Sequence, residues 1–158
     1  MQFREGERKE NKKFKFPLDF GDKFYKNNKS MEVITVKSTR KTELIDITSE
    51  IEKVLPNKDG ICILFNPHTT AGLIVNEGAD PSVKEDILAI FSHLAPDKYP
   101  YRHLEGNSPG HIKSSLTGPT LVLLVEKGKL VLGTWQRVFF AEYDGPRTRK
   151  VYVKFLEG

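Results

Sequence analysis

Beyond residue 30, the apolar residues fall into short runs, each about the length of one β-strand and each followed by a turn signal. Residues 31–38 are rich in β-branched types, and residues 61–65 are apolar throughout. A continuous apolar run of this length is typical of a strand that is covered on both faces. Cys62 lies inside this run, so we expect a buried and inert thiol rather than a nucleophile.

The same spacing predicts about eight strands, with hairpins dominating the second half of the chain. Glu126-Lys127-Gly128 and Asp144-Gly145-Pro146 are the two hairpin turns that the sequence indicates. The last strand alternates apolar and polar residues and is expected to cover the core on one face only. The predicted strands are residues 31–38, 43–47, 61–65, 71–75, 119–125, 129–132, 135–143 and 147–155.

One helix is strongly indicated. Asp80 is a good N-cap and Pro81 a good first residue, and apolar side chains then recur at helical spacing to about Leu94. Ser49 and Glu52 have the spacing of a capping box. Short helices are therefore predicted at 50–55 and, as a single turn, at 111–116, with a loop over 95–110. The fold class that follows is α+β, mostly antiparallel β, as a sandwich with one main helix and one or two short helices.

The chain divides into a basic N-terminal extension, residues 1–30, and one domain, residues 31–158, as expected for a chain of 158 residues. The net charge of +4 comes entirely from the extension, which has nine Lys and Arg against five Asp and Glu. The domain has sixteen of each and is neutral. A basic face for nucleic acid is thus not indicated, although the extension interleaves basic and aromatic residues in a way that suits RNA.

Several classes of protein are not expected. No apolar run approaches the ~20 residues of a transmembrane helix, and the N-terminus lacks the apolar core of a signal peptide. A single cysteine rules out an internal disulfide. We therefore expect a cytoplasmic protein with no membrane partner.

Three histidines lie in polar segments beside strands or turns: His68, His103 and His111. Three neutral imidazoles and one open position are a common arrangement for catalytic zinc. His103 and His111 are eight residues apart and can converge, but nothing in the spacing forces His68 to join them. A divalent metal, Zn²⁺ or Mg²⁺, is the cofactor that this set suggests, and three unrelated surface histidines are the alternative.

Carboxylate, amide and cationic side chains accompany these histidines. Glu77 and Glu105, with His103, are the candidate acid–base groups. Lys113 and Arg147 are suited to a phosphate or carboxylate, although Arg147 on a solvated strand face is an equally ordinary interpretation. The candidate substrate-binding residues are Thr69, Thr70, Asn76, Asn107, Lys113, Trp135, Gln136 and Arg147.

Six segments in order resemble the YjbQ-like family over roughly residues 31–158. One departure occurs at Pro109-Gly110, just before His111, where the family typically has a small residue such as alanine. The segments are Pro67-His68-Thr69-Thr70-Ala71-Gly72, Asn76-Glu77 with Asp80-Pro81, Tyr101-Arg102-His103-Leu104-Glu105-Gly106-Asn107, His111-Ile112-Lys113, Leu132-Gly133-Thr134-Trp135-Gln136 and Asp144-Gly145-Pro146-Arg147.

The resemblance implies a β-sandwich with flanking helices that forms a homotrimer, with the histidine-bearing loops near the subunit interface. It also implies a secondary thiamine-phosphate synthase activity. That reaction joins a hydroxymethylpyrimidine diphosphate to a thiazole phosphate and expels diphosphate, so the expected partner is a small phosphorylated molecule. In this interpretation His68, His103 and His111 bind a metal or an anion, and Glu77 and Glu105 act as acid–base groups.

Two alternatives fit the same residues. The first is a metal-dependent hydrolase of a small phosphorylated or carboxylated metabolite, in which Glu77 or Glu105 is the general base. The second is a module without catalytic activity that binds a ligand or, through its basic extension, a nucleic acid.

Overall fold

The computed structural model describes residues 31–158, and the predicted extension lies outside these residues. Eight strands and three helices follow one another in the order β1 (Glu32–Lys37), β2 (Glu43–Asp46), α1 (Thr48–Val54), β3 (Gly60–Phe65), β4 (Ala71–Glu77), α2 (Pro81–Leu94), α3 (Ser108–Thr117), β5 (Thr120–Glu126), β6 (Lys129–Leu130), β7 (Gln136–Glu142) and β8 (Thr148–Glu157).

The strands form two antiparallel sheets. The larger sheet has the order β1-β8-β3-β5-β6, and the smaller has the order β2-β7-β4. The apolar core lies between them, because side chains such as Val151 and Leu64 from the larger sheet cluster with Val138 and Phe140 from the smaller. The predicted α+β class is therefore confirmed.

Helix α2 covers the other face of the smaller sheet. Phe91 on α2 meets the ring of Tyr143 edge-on, with 6.2 Å between ring centroids. Leu44 and Phe139 belong to the same apolar cluster. Asp80 caps this helix as predicted, since its carboxylate accepts a hydrogen bond from the Ser82 amide at 2.9 Å. None of the three helices is long and apolar enough to cross a bilayer, as judged over residues 31–158.

The predicted hairpin between β7 and β8 is wrong. The two strands belong to different sheets, and the turn at residues 143–147 carries the chain from one sheet to the other. Gly145 lies so close to the 38–40 segment that an added Cβ would meet the Ser38 hydroxyl at 2.7 Å. Turn residues indicate a reversal but not which sheet the next strand joins, and this is why the sequence pattern misled.

The prediction that β3 is covered on both faces is also wrong for the single chain. Cys62 and Leu64 are fully buried, but Ile61 and Phe65 on the opposite face are 37% and 44% exposed. Val122 on the neighbouring β5 is 64% exposed on that face and pairs with Ile63. The outer face of the larger sheet is thus apolar and open to solvent.

The two short helices differ from their predictions. Helix α1 begins at Thr48, so Ser49 lies inside it and makes no capping box. Glu52 instead accepts hydrogen bonds from Lys129 and the Leu130 amide. Helix α3 begins at Ser108 and is ten residues long, so it includes residues 108–110 of the predicted loop.

Candidate functional site

The pairing of β4 with β7 separates the predicted site residues into two groups. Ala71 pairs with Glu142 at one end of the smaller sheet, and Glu77 pairs with Gln136 at the other. Six residues of strand span about 20 Å. We call these places the Thr70 end and the Glu77 end. The two groups therefore do not form one pocket within a single chain.

Helix α3 lies directly against the Thr70 end. A Cβ on Gly110 would meet the Tyr143 carbonyl oxygen at 3.1 Å and the Thr70 side chain at 3.3 Å. A Cβ at these distances would crowd its neighbours, so the glycine in the Pro109-Gly110 departure allows α3 to approach Thr70 closely. The contact brings the start of α3 to the β7–β8 turn.

Asn107, Asp144 and Arg147 form a hydrogen-bonded group at that turn. The Asn107 amide nitrogen donates to Asp144 Oδ2 at 3.1 Å, and Arg147 Nη2 donates to the same oxygen at 3.0 Å. Burial alone would raise the pKa of Asp144, but these hydrogen bonds outweigh it and hold the pKa below its usual value. The Asn107 side-chain oxygen is buried and has no hydrogen-bond partner among the described residues.

Lys113 lies on the buried face of α3 and is only 4% exposed. Its ammonium makes no hydrogen bond to any of residues 31–158. Burial lowers the pKa of Lys113, Asp97 raises it and Lys41 lowers it. The ammonium itself is not among the buried polar atoms left without a partner, so it keeps some contact with solvent while the rest of the side chain is enclosed. A partly desolvated cation of this kind can pair with an anionic ligand.

Lys41 and Asp97 were missed in the sequence. Lys41 Nζ lies 2.9 Å from Asp97 Oδ1, and the Lys41 carbonyl accepts a hydrogen bond from the Gly145 amide. These contacts join the β1–β2 connection to the Thr70 end. The sequence offered no signal for them, because both residues lie in ordinary polar turns.

His103 and His111 lie together at the start of α3, with 5.3 Å between their ring centroids. Glu105 Oε2 is 3.6 Å from His103 Nε2. His103 and Glu105 are exposed, and His111 is partly buried. This part of the predicted site is therefore assembled, and it faces solvent.

His68 has a different role in the structure. Its Nε2 accepts a hydrogen bond from the Lys150 amide at 2.8 Å. Asn66 holds the loop by accepting from the His68 amide and donating to its carbonyl. Burial, followed by the nearby Arg149 charge, lowers the pKa of His68. The imidazole is neutral, and its Nε2 is already occupied.

The described residues do not fit the three-histidine metal site. No group of three His, Cys, Asp or Glu side chains in residues 31–158 is placed to hold a metal ion. Two imidazoles lie together, but the third expected ligand is hydrogen-bonded to backbone elsewhere. A single chain, over this range, thus supplies at most a partial ligand set.

A buried polar network behind the Thr70 end was also missed. Glu142 and Arg149 form an ion pair at 2.9 Å, and both are almost completely buried. Arg149 Nη2 donates to the Thr70 hydroxyl at 2.8 Å, and the Ser38 hydroxyl donates to Glu142 at 2.9 Å. Thr70 is a candidate from the sequence, but no pattern marks Glu142 or Ser38 as its neighbours, since both lie in or beside strands.

At the Glu77 end, the predicted residues make local contacts. Asn76 Oδ1 accepts from the Glu77 amide, and Gln136 Oε1 accepts from the Gly133 amide. Trp135 is 63% exposed. A polar cavity of about 470 Å³ lies near this end, lined in part by Arg137. Among residues 31–158, no cationic side chain at this end is as deeply buried as that of Lys113.

The comparisons with known proteins agree with this fold. A family model described as "UPF0047 protein YjbQ-like" matches residues 32–158. A UPF0047 protein of Methanocaldococcus jannaschii is 51% identical over 124 residues, covering 77% of this chain and 90% of the relative. The UPF0047 protein YugU of Bacillus subtilis is 44% identical over 130 residues, covering 80% of this chain and 98% of the relative.

Solved structures lead to the same assignment. A conserved hypothetical protein from Thermus thermophilus superposes with a TM-score of 0.77 at 51% sequence identity, covering 79% of this chain and 99% of that one. A YjbQ/UPF0047 protein from Clostridium acetobutylicum gives 0.76 at 44% identity, with 79% and 99% coverage. The match over nearly the whole described range shows that this chain belongs to the YjbQ (UPF0047) family.

Proposed function

We propose that the Thr70 end binds the phosphate groups of a small molecule and that the chain is a transferase with thiamine-phosphate-synthase-like activity. The observation that carries this proposal is Lys113, which is only 4% exposed and whose ammonium makes no hydrogen bond within residues 31–158. Arg147 lies on the β7–β8 turn that the start of α3 approaches, and it presents a half-exposed guanidinium. Two cations of this kind are suited to a phosphorylated ligand.

The proposed chemistry uses these cations on a leaving group. Expulsion of diphosphate develops negative charge on the departing oxygen, and Lys113 and Arg147 stabilise that charge. His103 and His111 are close enough to each other to donate protons or hydrogen bonds to the same phosphate. Thr69, Thr70 and Asn107 orient the substrate in this proposal, while Asp144 holds Arg147 in place.

The test supplies the pyrimidine diphosphate and the thiazole phosphate separately and together. The proposal expects thiamine phosphate and diphosphate only from the paired substrates, with a large loss of rate in Lys113→Met. Lys127→Met is the matched control, since Lys127 lies in the exposed β5–β6 turn. No product from the paired substrates would refute the proposed reaction.

A hydrolase is the second candidate, and the His103–Glu105 contact favours it. An exposed carboxylate beside an imidazole can take a proton from an attacking water. Glu77, the other predicted base, lies at the opposite end of β4 and is not used here. Product from a single phosphorylated substrate, lost in Glu105→Gln, would support hydrolysis over synthesis.

Metal dependence is kept as a separate proposal. With His103 and His111 together and His68 elsewhere, a Zn²⁺ or Mg²⁺ site needs a ligand beyond those in the described chain. Elemental analysis of the purified protein, repeated on His103→Ala and His111→Ala, tests it. A wild-type protein without stoichiometric metal, or variants that retain all of it, would refute the metal role.

Self-association is proposed as well, as a homotrimer in the cytoplasm. The open apolar face on β3 and β5 supports self-association, since contiguous exposed apolar surface marks interfaces. The buried Cys62 suits a reducing compartment. Nucleic-acid binding through residues 1–30 is the remaining alternative. It would be excluded if the full chain showed no salt-dependent binding to RNA.

A further inference from the structure

The buried network behind the Thr70 end connects two separate parts of the proposed anion site. Arg149 Nε donates to Glu142 at 2.9 Å, and Arg149 Nη2 donates to the Thr70 hydroxyl at 2.8 Å. On the other side, the Ser38 hydroxyl donates to Glu142 Oε1 at 2.9 Å and accepts from the Arg147 amide at 2.8 Å. One carboxylate therefore joins the Thr70 loop to the Arg147 turn.

A network this deeply buried is an unusual way to stabilise a fold. Glu142 is 0% exposed and Arg149 is 7% exposed, while Ser38 and Thr70 are also buried. Replacing a buried ion pair by apolar side chains of similar volume is often neutral or stabilising. The two sheets already share a large apolar core, so this pair is not needed to hold them together.

The position of the pair points to orientation instead. Glu142 is the last residue of β7 in the smaller sheet, and Arg149 is the second residue of β8 in the larger sheet. The turn that holds Asp144 and Arg147 lies between them. An added Cβ on Gly145 would meet Glu142 Cγ at 2.9 Å. The turn backbone thus packs directly against the side chain whose carboxylate holds Arg149.

We propose that Glu142 is a positioning residue of the anion site, fixing the Thr70 hydroxyl through Arg149 and the Arg147 backbone through Ser38. The inference rests on the proposed phosphate site. It concerns how the Thr70 loop and the Arg147 turn are held at a fixed distance from each other. A single phosphate can adjust to either half. A diphosphate that contacts both needs them held at a fixed separation, so its binding depends more strongly on the network.

The experiment measures binding of inorganic phosphate and inorganic diphosphate to the full chain by calorimetry. Glu142→Gln keeps the size and one oxygen acceptor but removes the charge that holds Arg149. We expect diphosphate affinity to fall about tenfold and phosphate affinity to change much less. The ratio of the two dissociation constants is the readout that loss of stability alone does not move.

A second variant guards against misfolding. Glu142→Leu with Arg149→Met replaces the whole pair by apolar side chains and is expected to fold with stability near that of the unaltered chain. It should show the same loss of diphosphate preference. Val153→Ala, a cavity in the shared core, is the matched control: it lowers stability and leaves the ratio of dissociation constants unchanged.

The outcomes separate the two proposals. An unchanged ratio in both network variants, with anion binding intact, overturns the positioning role and leaves the phosphate site standing. A changed ratio in Val153→Ala also overturns it, because the effect would then follow stability. Failure of the unaltered protein to bind either anion overturns the phosphate site, and the positioning role with it.

Discussion

Lys113 is the residue at which sequence and structure together say most about chemistry. Its type made it a candidate anion ligand, but nothing in the sequence indicated that it is buried. The structure adds that burial and the absence of a hydrogen-bonded partner among residues 31–158. Because the pKa of Lys113 is lowered, the unfolded chain holds this proton more tightly than the folded chain, and burial of the ammonium is a cost near neutral pH.

Lys113→Met should therefore lower the affinity for phosphate without lowering the stability of the fold. We expect phosphate affinity to fall by about tenfold or more, since a charge-assisted contact is lost. Thermal stability should be equal or higher, because the cost of partly desolvating the ammonium is removed. In the unaltered chain, the contribution of Lys113 to the free energy of unfolding rises as the pH increases from its lowered pKa towards 10.5. Denaturation experiments across that pH range measure this rise. A variant that binds phosphate normally would contradict the assignment.

The environment of His68 predicts that the stability of the fold depends on pH in the acid range. Burial lowers its pKa below 6.5, so between the lowered pKa and 6.5 the unfolded chain binds more protons than the folded chain. Stability from this group is therefore lost as the pH falls through that window. His68→Gln keeps an acceptor for the Lys150 amide and should remove the loss. Urea unfolding at about pH 7 and about pH 5.5 measures it.

The control for this prediction is His93, an exposed histidine in the last turn of α2. His93→Gln should leave the difference in stability between the two pH values as large as in the unaltered chain. An equal effect of both substitutions would mean that the pH dependence does not arise at His68.

At the scale of elements, the sequence identified most strands because their local pattern carried the information. It failed where position depended on distant partners. The β7–β8 turn carries the chain into another sheet, and the contact between Glu142 and Arg149, 2.9 Å apart, joins the two strands across that change of sheet. Likewise, Glu52 turns to Lys129 and Leu130 rather than to the start of its own helix. Local spacing does not encode such contacts.

The helix caps provide a direct comparison. Asp80→Ala removes the acceptor for the Ser82 amide at the start of α2 and should lower the unfolding temperature by roughly 2–5 °C. Ser49→Ala is the matched control, because Ser49 has the capping-box sequence but lies inside α1. Its unfolding temperature should change little. Equal effects of the two substitutions would contradict the structural assignment of the caps.

At the scale of the whole molecule, the candidate site residues occupy two ends of one small sheet. The sequence placed them in one list because it records order and not distance. The register of β4 and β7 then separates Asn76, Glu77, Trp135 and Gln136 from the Thr70 end by about 20 Å. Chemistry within one chain is accordingly assigned to the Thr70 end alone.

The open face of the larger sheet predicts a change in assembly. Val122 and Leu124 are 64% and 62% exposed and lie on neighbouring outward positions of β5. Val122→Lys with Leu124→Lys should convert the proposed trimer into a monomer, because charged side chains oppose burial of that face. Size-exclusion chromatography with light scattering gives the mass directly.

An equally exposed pair elsewhere serves as the control. Ile90 and Leu94 on α2 are 58% and 59% exposed, and Ile90 lines an apolar groove of about 540 Å³ between α2 and β4. Ile90→Lys with Leu94→Lys should leave the mass unchanged. Dissociation by the α2 pair and not by the β5 pair would move the interface to the groove.

The burial of Cys62 provides a way to measure how often this domain opens. The thiol is fully enclosed between the sheets, and burial raises its pKa to about 12, so it reacts only when β3 separates from its neighbours. The rate at which a thiol reagent modifies the native protein thus reports the frequency of that separation. Cysteines introduced at the surface for spectroscopic probes would react much faster than Cys62. They could therefore be labelled selectively without replacing Cys62.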